Sequence, residues 1–277
     1  MKIRMLSPLV SLVALVACGS SGAGPNTQSS ADRVEVILEA RQAVEEPAVA
    51  LGTAALTLAD RFELLATING GDLPAALDQA EDAAADLEHA AASAADVAFE
   101  RSTADIAAAA AALQAAAAQA QDTSTEARTV VDVLRRAADA DDDLAEIVAG
   151  WEERGSRQEL MDHFDDLRLR AEDLVGDLEV EAQDAGCSAV LDLRVAAARA
   201  IAAATAELRD LVANYRGNEY DVRQPELSVD PYGLGTTLFE ASQDNGFCPL
   251  VDVVDGGVTE VTDALGRLQQ ALAPDDL

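Results

Sequence analysis

The sequence predicts an all-α fold, an elongated antiparallel bundle of alanine-rich, coiled-coil-like helices. Three observations predict it. Alanine supplies about a fifth of the 277 residues and has the highest helix propensity, while Pro is held to 8. Aromatic residues are only 3% of a chain that is 49% apolar, too few for a sandwich, a barrel or a doubly wound sheet. Apolar positions then recur alternately three and four residues apart over long stretches, the seam of left-handed helix packing. Small alanine knobs on such a seam bring helix axes to the short end of the 8–10 Å range. Acids outnumber bases 51 to 19, giving a net charge of −32. A field of that sign repels phosphate and excludes a nucleic-acid binder. Lys2 is the sole lysine.

The chain opens with a leader. Lys2 and Arg4 precede an apolar run from Met5 to Ala17, too short to span a bilayer. Leu15-Val16-Ala17-Cys18 follows, and it resembles the lipobox of bacterial lipoproteins. The resemblance covers the signal region alone. It implies cleavage before Cys18, a diacylglycerol on its thiol, and a protein anchored to the extracytoplasmic face of the membrane without crossing it. Two of the bases leave with the leader. Residues 18–30, rich in Gly and Ser and without charge, read as a flexible tether. Residues 31–277 form the helical body. Export to an oxidising compartment leaves two further cysteines, Cys187 and Cys248, which are expected to pair and staple residues 187–277.

Helix starts and stops punctuate the body. Ser102-Thr103-Ala104-Asp105 is an acidic variant of the capping box. Thr123-Ser124-Thr125-Glu126 and Ser156-Arg157-Gln158-Glu159 are full boxes. Pro47 and Pro74 suit first-turn positions, and Asn69-Gly70-Gly71, Gly150, Gly155 and Gly186 mark ends. Between these signs run five seams: Leu73 to Ala98, Ile106 to Ala120, Leu160 to Leu178, Leu191 to Val212 and Val251 to Leu272. Six to eight helices of about 20–28 residues are expected, about 30–42 Å long. Residues 251–262 could instead turn as a hairpin at Asp255-Gly256, but the unbroken seam favours a helix. Trp151 reads as an anchor at a helix corner. Residues 216–236 carry two prolines and three glycines and read as one long irregular loop.

Chemistry-bearing patterns are sparse. Glu-x-x-His occurs in neither copy that a di-iron bundle needs: Asp86 precedes His89, but Leu160 precedes His163. Asp139 to Asp143 superficially suggests a calcium loop, yet Leu144 stands where glycine is required. No nucleophile elbow or phosphate loop is present, so the expectation is a non-enzymatic protein without metal or cofactor. Phe239 to Cys248 is similar to a segment common in small actinobacterial exported proteins, a pattern that implies no activity. The expected role is an envelope interaction or scaffolding module with a protein partner. The alternative is a small-ligand or solute-binding lipoprotein using the 216–236 segment, with Tyr215, Tyr220, Tyr232, Arg216 and Arg223 as candidate binding residues.

Overall fold

The computed structural model describes residues 27–65, 72–99, 104–184, 189–229 and 250–273. Seven α-helices and one 3₁₀ turn account for nearly all of them, and no strand occurs among the described residues. They are α1 (Thr27–Leu65), α2 (Leu73–Ala95), α3 (Ala104–Ala149), α4 (Arg157–Asp184), α5 (Ala189–Ala213), α6 (Gly217–Val229) and α7 (Leu250–Ala271). The all-helical architecture agrees with the alanine content and the seams. Cys18, Cys187, Cys248 and Tyr232 lie outside the described residues, as do Ser102, Asn69 to Gly71 and Gly186.

Helix α3 organises the molecule. Its 46 residues run about 69 Å. It packs with α1, α2 and α7 over its earlier part, α2 reaching as far as Arg135, and with α4 and α5 from Arg136 onward. Helix α2 runs antiparallel to α3: the buried Ser124 hydroxyl donates to the Ala84 carbonyl at 2.7 Å, and Arg135 reaches back to Asp78 and Glu81. On the other bundle, Arg136 pairs with Glu181 and Arg170 with Glu146, so α4 descends α3. Helix α5 rises again, with Arg194, its side chain 6% exposed, bidentate on Asp141 of α3. Helix α7 returns to the first bundle. Arg41 of α1 donates Nε to the Leu272 carbonyl at 2.7 Å, binding the C-terminal end of α7. Two bundles thus stand end to end on one shared helix.

The cores are mostly alanine and leucine. Of the nine buried residues of α2, seven are Ala, with Leu77 and Leu87 the exceptions. Each alanine methyl contributes about 0.8 kcal/mol on burial against about 2 kcal/mol for leucine, so stability accrues through length. Close approach needs glycine at one crossing. A Cβ on Gly257 of α7 would fall 2.2 Å from Thr123 Oγ1 and 3.0 Å from Thr123 Cβ. That contact fixes why Asp255-Gly256-Gly257 is helix interior and not a hairpin turn. The seam buries Val254, Val258, Val261, Leu265, Leu268 and Leu272.

Several sequence expectations are corrected. Thr123 to Glu126 does not start a helix; it lies inside α3. Thr123 and Thr125 donate instead to the carbonyls of Gln119 and Gln121 four residues back, and Ser124 donates across to α2. With the hydroxyls so engaged, no capping demand breaks the helix. Pro47 sits inside α1 rather than in its first turn. The carbonyl that loses its donor belongs to Ala43, an exposed residue, so water can serve it. Pro74 does occupy the first turn of α2. Thr27 to Ser30, read as tether, are the first residues of α1. Helices α1 and α3 exceed the expected lengths at 39 and 46 residues. Ala98 lies past the end of α2 and is exposed.

The largest correction concerns the 216–236 loop. Residues Gly217–Val229 form α6. Pro225 is tolerated because Asp221, whose carbonyl it leaves without a partner, is exposed. The gain is the burial of Tyr220 and Gln224 against the end of the second bundle.

Candidate functional site

The candidate site is built where α5 turns into α6. Helix α5 ends in a Schellman motif: the Arg216 N–H donates to the Leu211 carbonyl at 2.9 Å and the Tyr215 N–H to Val212 at 3.3 Å. The motif demands a left-handed residue, normally glycine. Here it is Tyr215, with φ of 59°, the one non-glycine positive φ among the described residues. A bulky residue there costs about 1–2 kcal/mol. Arg157, from the first turn of α4, offsets part of it. Its guanidinium donates to the Val212 and Ala213 carbonyls at 3.2 and 2.5 Å and to the Tyr215 hydroxyl at 3.2 Å. It also stacks 4.2 Å from the ring centroid. Tyr215 stays 80% exposed.

Beneath the corner, an aromatic knot fixes α6. Trp151 is fully buried and donates Nε1–H to the Thr205 hydroxyl at 3.0 Å, and that hydroxyl in turn donates to the Ile201 carbonyl at 2.8 Å. The Tyr220 hydroxyl donates to the Trp151 carbonyl at 3.2 Å, and its ring lies 6.1 Å from Phe164. Burial pushes the Tyr220 phenol above its ordinary range, partly opposed by Arg154. It therefore stays protonated and donating at neutral pH. His163 Nε2 lies 3.0 Å from the Gly150 carbonyl, and a Cβ on Gly150 would fall 2.9 Å from Leu167. The expected capping box forms here: Ser156 N–H donates to Glu159 at 2.8 Å, and Glu159 N–H to the Ser156 hydroxyl at 3.4 Å.

An open cleft of about 750 Å³ lies between α5 and α6. Its walls include Asp210, Asn214, Arg216, Asn218, Glu219 and Arg223, with Leu211 and the 62% exposed Val222 as apolar surface. Arg216 Nε donates to Glu219 at 2.8 Å. Arg223 bridges Glu207 of α5 at 2.8 Å and Glu226 at 3.3 Å, and these carboxylates raise its proton affinity further. Of the sequence candidates, Arg216 and Arg223 line the cleft and Tyr215 stands between two lining residues. Tyr220 does not; it is core. The sequence reading missed Asp210, Asn214, Asn218 and Glu219. Their only signal is the helix end at Asn214-Tyr215 followed by Arg216-Gly217, where the sequence predicts the 216–236 loop to begin.

A second, shallower groove of about 430 Å³ runs between α4 and α5 over Val175, Ala202, Ala203 and Ala206. Asp141 of the acidic run is spent on Arg194, and Glu88 beside His89 on Arg128. Among the described residues no group of three or more His, Cys, Asp or Glu is placed to hold a metal ion. Comparison with known proteins returns no matching family model, no matching curated protein and no matching solved structure.

Proposed function

We propose that the chain is a lipid-anchored, extracytoplasmic helical-bundle lipoprotein with a non-enzymatic role in envelope interaction or scaffolding. The observation that carries this reading is the placement of the Leu15-Val16-Ala17-Cys18 lipobox nine residues before a rod-like body. An acyl group at Cys18 would hold the rod by the end where α1 begins, and the α5–α6 corner would stand at the far end. Helix α3 alone separates the two ends by about 69 Å. A lipid-held spacer that presents a tip is the geometry a scaffold uses. No helix among the described residues is long and apolar enough to cross a membrane, so an anchor in this reading is the lipid.

A Cys187–Cys248 disulfide belongs to the same proposal. Ala189, which opens α5, lies five residues before Arg194 and its partner Asp141 on α3. Leu250, which opens α7, lies seven residues before Gly257 and its partner Thr123. These starts therefore sit about 9 Å apart in height along α3. Cys187 and Cys248 themselves lie outside the described residues, so the pairing rests on the sequence.

The test is acylation in the native host. Mass analysis of the mature N-terminus is expected to find diacylglycerol-modified Cys18, and Cys18→Ser is expected to release the protein from membranes. An unmodified chain, or a Cys18→Ser variant that is equally membrane-bound, rejects the anchor. In-cell cross-linking then reads the partner. A second reading, ligand binding at the tip, is favoured by one observation: the strained, exposed Tyr215 at the α5–α6 corner, between Asn214 and Arg216 of the cleft wall.

A further inference from the structure

We propose that the α5–α6 cleft binds a glycan, a neutral polyhydroxylated ligand long enough to reach from the cleft onto the exposed ring of Tyr215, whose sequence neighbours Asn214 and Arg216 line it. This inference rests on the ligand-binding reading above and names its ligand class. The first support is the cost accepted at Tyr215. Glycine would satisfy the Schellman motif without strain. A tyrosine held left-handed and 80% exposed buries little in return. Strain of this kind concentrates where a side chain must be presented. Arg157 covers one face of the ring and fixes its direction. A rigid aromatic face in solvent suits the C–H face of a sugar ring.

The second support is the lining. Arg216 is paired with Glu219, and Arg223 with Glu207 and Glu226. An anion would meet guanidinium groups already neutralised, inside a molecule of net charge −32. An apolar ligand would strand the polar walls. A hydroxyl both donates and accepts. It can donate to the spare lone pairs of Asp210, Glu219 and the amide oxygens of Asn214 and Asn218. It can accept from the amide N–H₂ groups and the guanidinium edges. Leu211 and Val222 supply apolar contact between these groups. The volume lies within the range of small-ligand sites.

The experiment uses the full chain in lauryldimethylamine oxide, a detergent without a sugar headgroup. Triacetylchitotriose, maltotriose and spermidine are titrated by calorimetry. At least one saccharide is expected to bind with a Kd of about 1 mM or tighter. Tyr215→Gly, which removes the ring and relieves the backbone, is expected to keep the circular dichroism spectrum and weaken binding about tenfold or more. Asn218→Ala, on the opposite wall and exposed, is expected to weaken it about threefold and serves if Tyr215→Gly disturbs the corner. Saccharide binding unchanged in both variants overturns the proposal. Spermidine binding that is lost in Asn218→Ala, with neither saccharide bound, overturns the glycan assignment and leaves the cleft a ligand site. No binding of any probe overturns both.

Discussion

Gly257 and Thr123 set the spacing of the first bundle, and a methyl group tests it. Gly257→Ala gains helix propensity of about 1 kcal/mol yet drives its Cβ into Thr123. The net effect expected is a loss of about 1–3 kcal/mol. Thr123→Ala in the same chain should recover part of that loss, because Oγ1 and Cγ2 are the closest atoms. A double-mutant cycle from denaturant melts reads the coupling, and additive effects would reject the contact. At the other bundle, Trp151 is the chain's single tryptophan and fully buried. Trp151→Phe keeps the ring volume in part but frees Thr205 from its indole partner. Trp151→Ala is expected to cost about 3–5 kcal/mol, seen as a fall in melting midpoint. The wild-type indole should emit to the blue and shift red on unfolding. The role of Gly257 was not legible as such: the seam made its stretch a helix, but only the height of Thr123 on α3 makes it a packing glycine. Trp151, flanked by Gly150 and two glutamates, was legible as a corner anchor.

At the scale of elements, the helices that matched expectation are those whose local signals agree with their packing. Ser156 to Glu159 caps α4 because no tertiary contact competes for those groups. The paired hydrogen bonds from Ser156, side chain first and then backbone, hold the Glu159 carboxyl below its ordinary value of 4.5. A depressed carboxyl contributes stability that is present above the unfolded value and lost as pH falls through the folded one. Glu159→Gln should therefore flatten the acid limb of the melting curve below about pH 4.5 and leave neutral pH less affected. Equal acid sensitivity in wild type and variant rejects the role. Thr123 to Glu126 carries the same signature and fails as a cap, since partners on α2 and α7 claim that stretch. Helix α6 shows the reverse error. Its glycine and proline argue against helix, but burial of Tyr220 on the Trp151 carbonyl outweighs local preference. The cleft was legible only in part for that reason. Arg216 and Arg223 were found by composition, whereas Asn214 and Asn218 acquire meaning only once α6 folds back along α5.

At the scale of the whole molecule, the described residues form a rod, and its length is measurable. Thr27 begins 14 residues before Arg41, which meets the end of α7 beside the start of α3. Adding that overhang to α3 gives about 90 Å. X-ray scattering should return a radius of gyration of about 25 Å, against about 19 Å for a compact chain of this length. A value near the lower figure would mean that the bundles fold back on each other. The heptad seams made the bundle legible; the sharing of α3 was not, because a false cap seemed to divide it. That shared helix also orders the birth of the fold. Helices α3 to α6 follow one another in the chain, so the second bundle can close from neighbours as soon as they are made. The first bundle cannot. Its fourth helix is the last of the chain, and the Arg41–Leu272 contact spans 231 positions. Until α7 arrives, α1, α2 and the first half of α3 hold an open apolar trough around Thr123. Nascent chains should thus mature from tip to base, and the end where α1 begins should be the last to become protease-resistant.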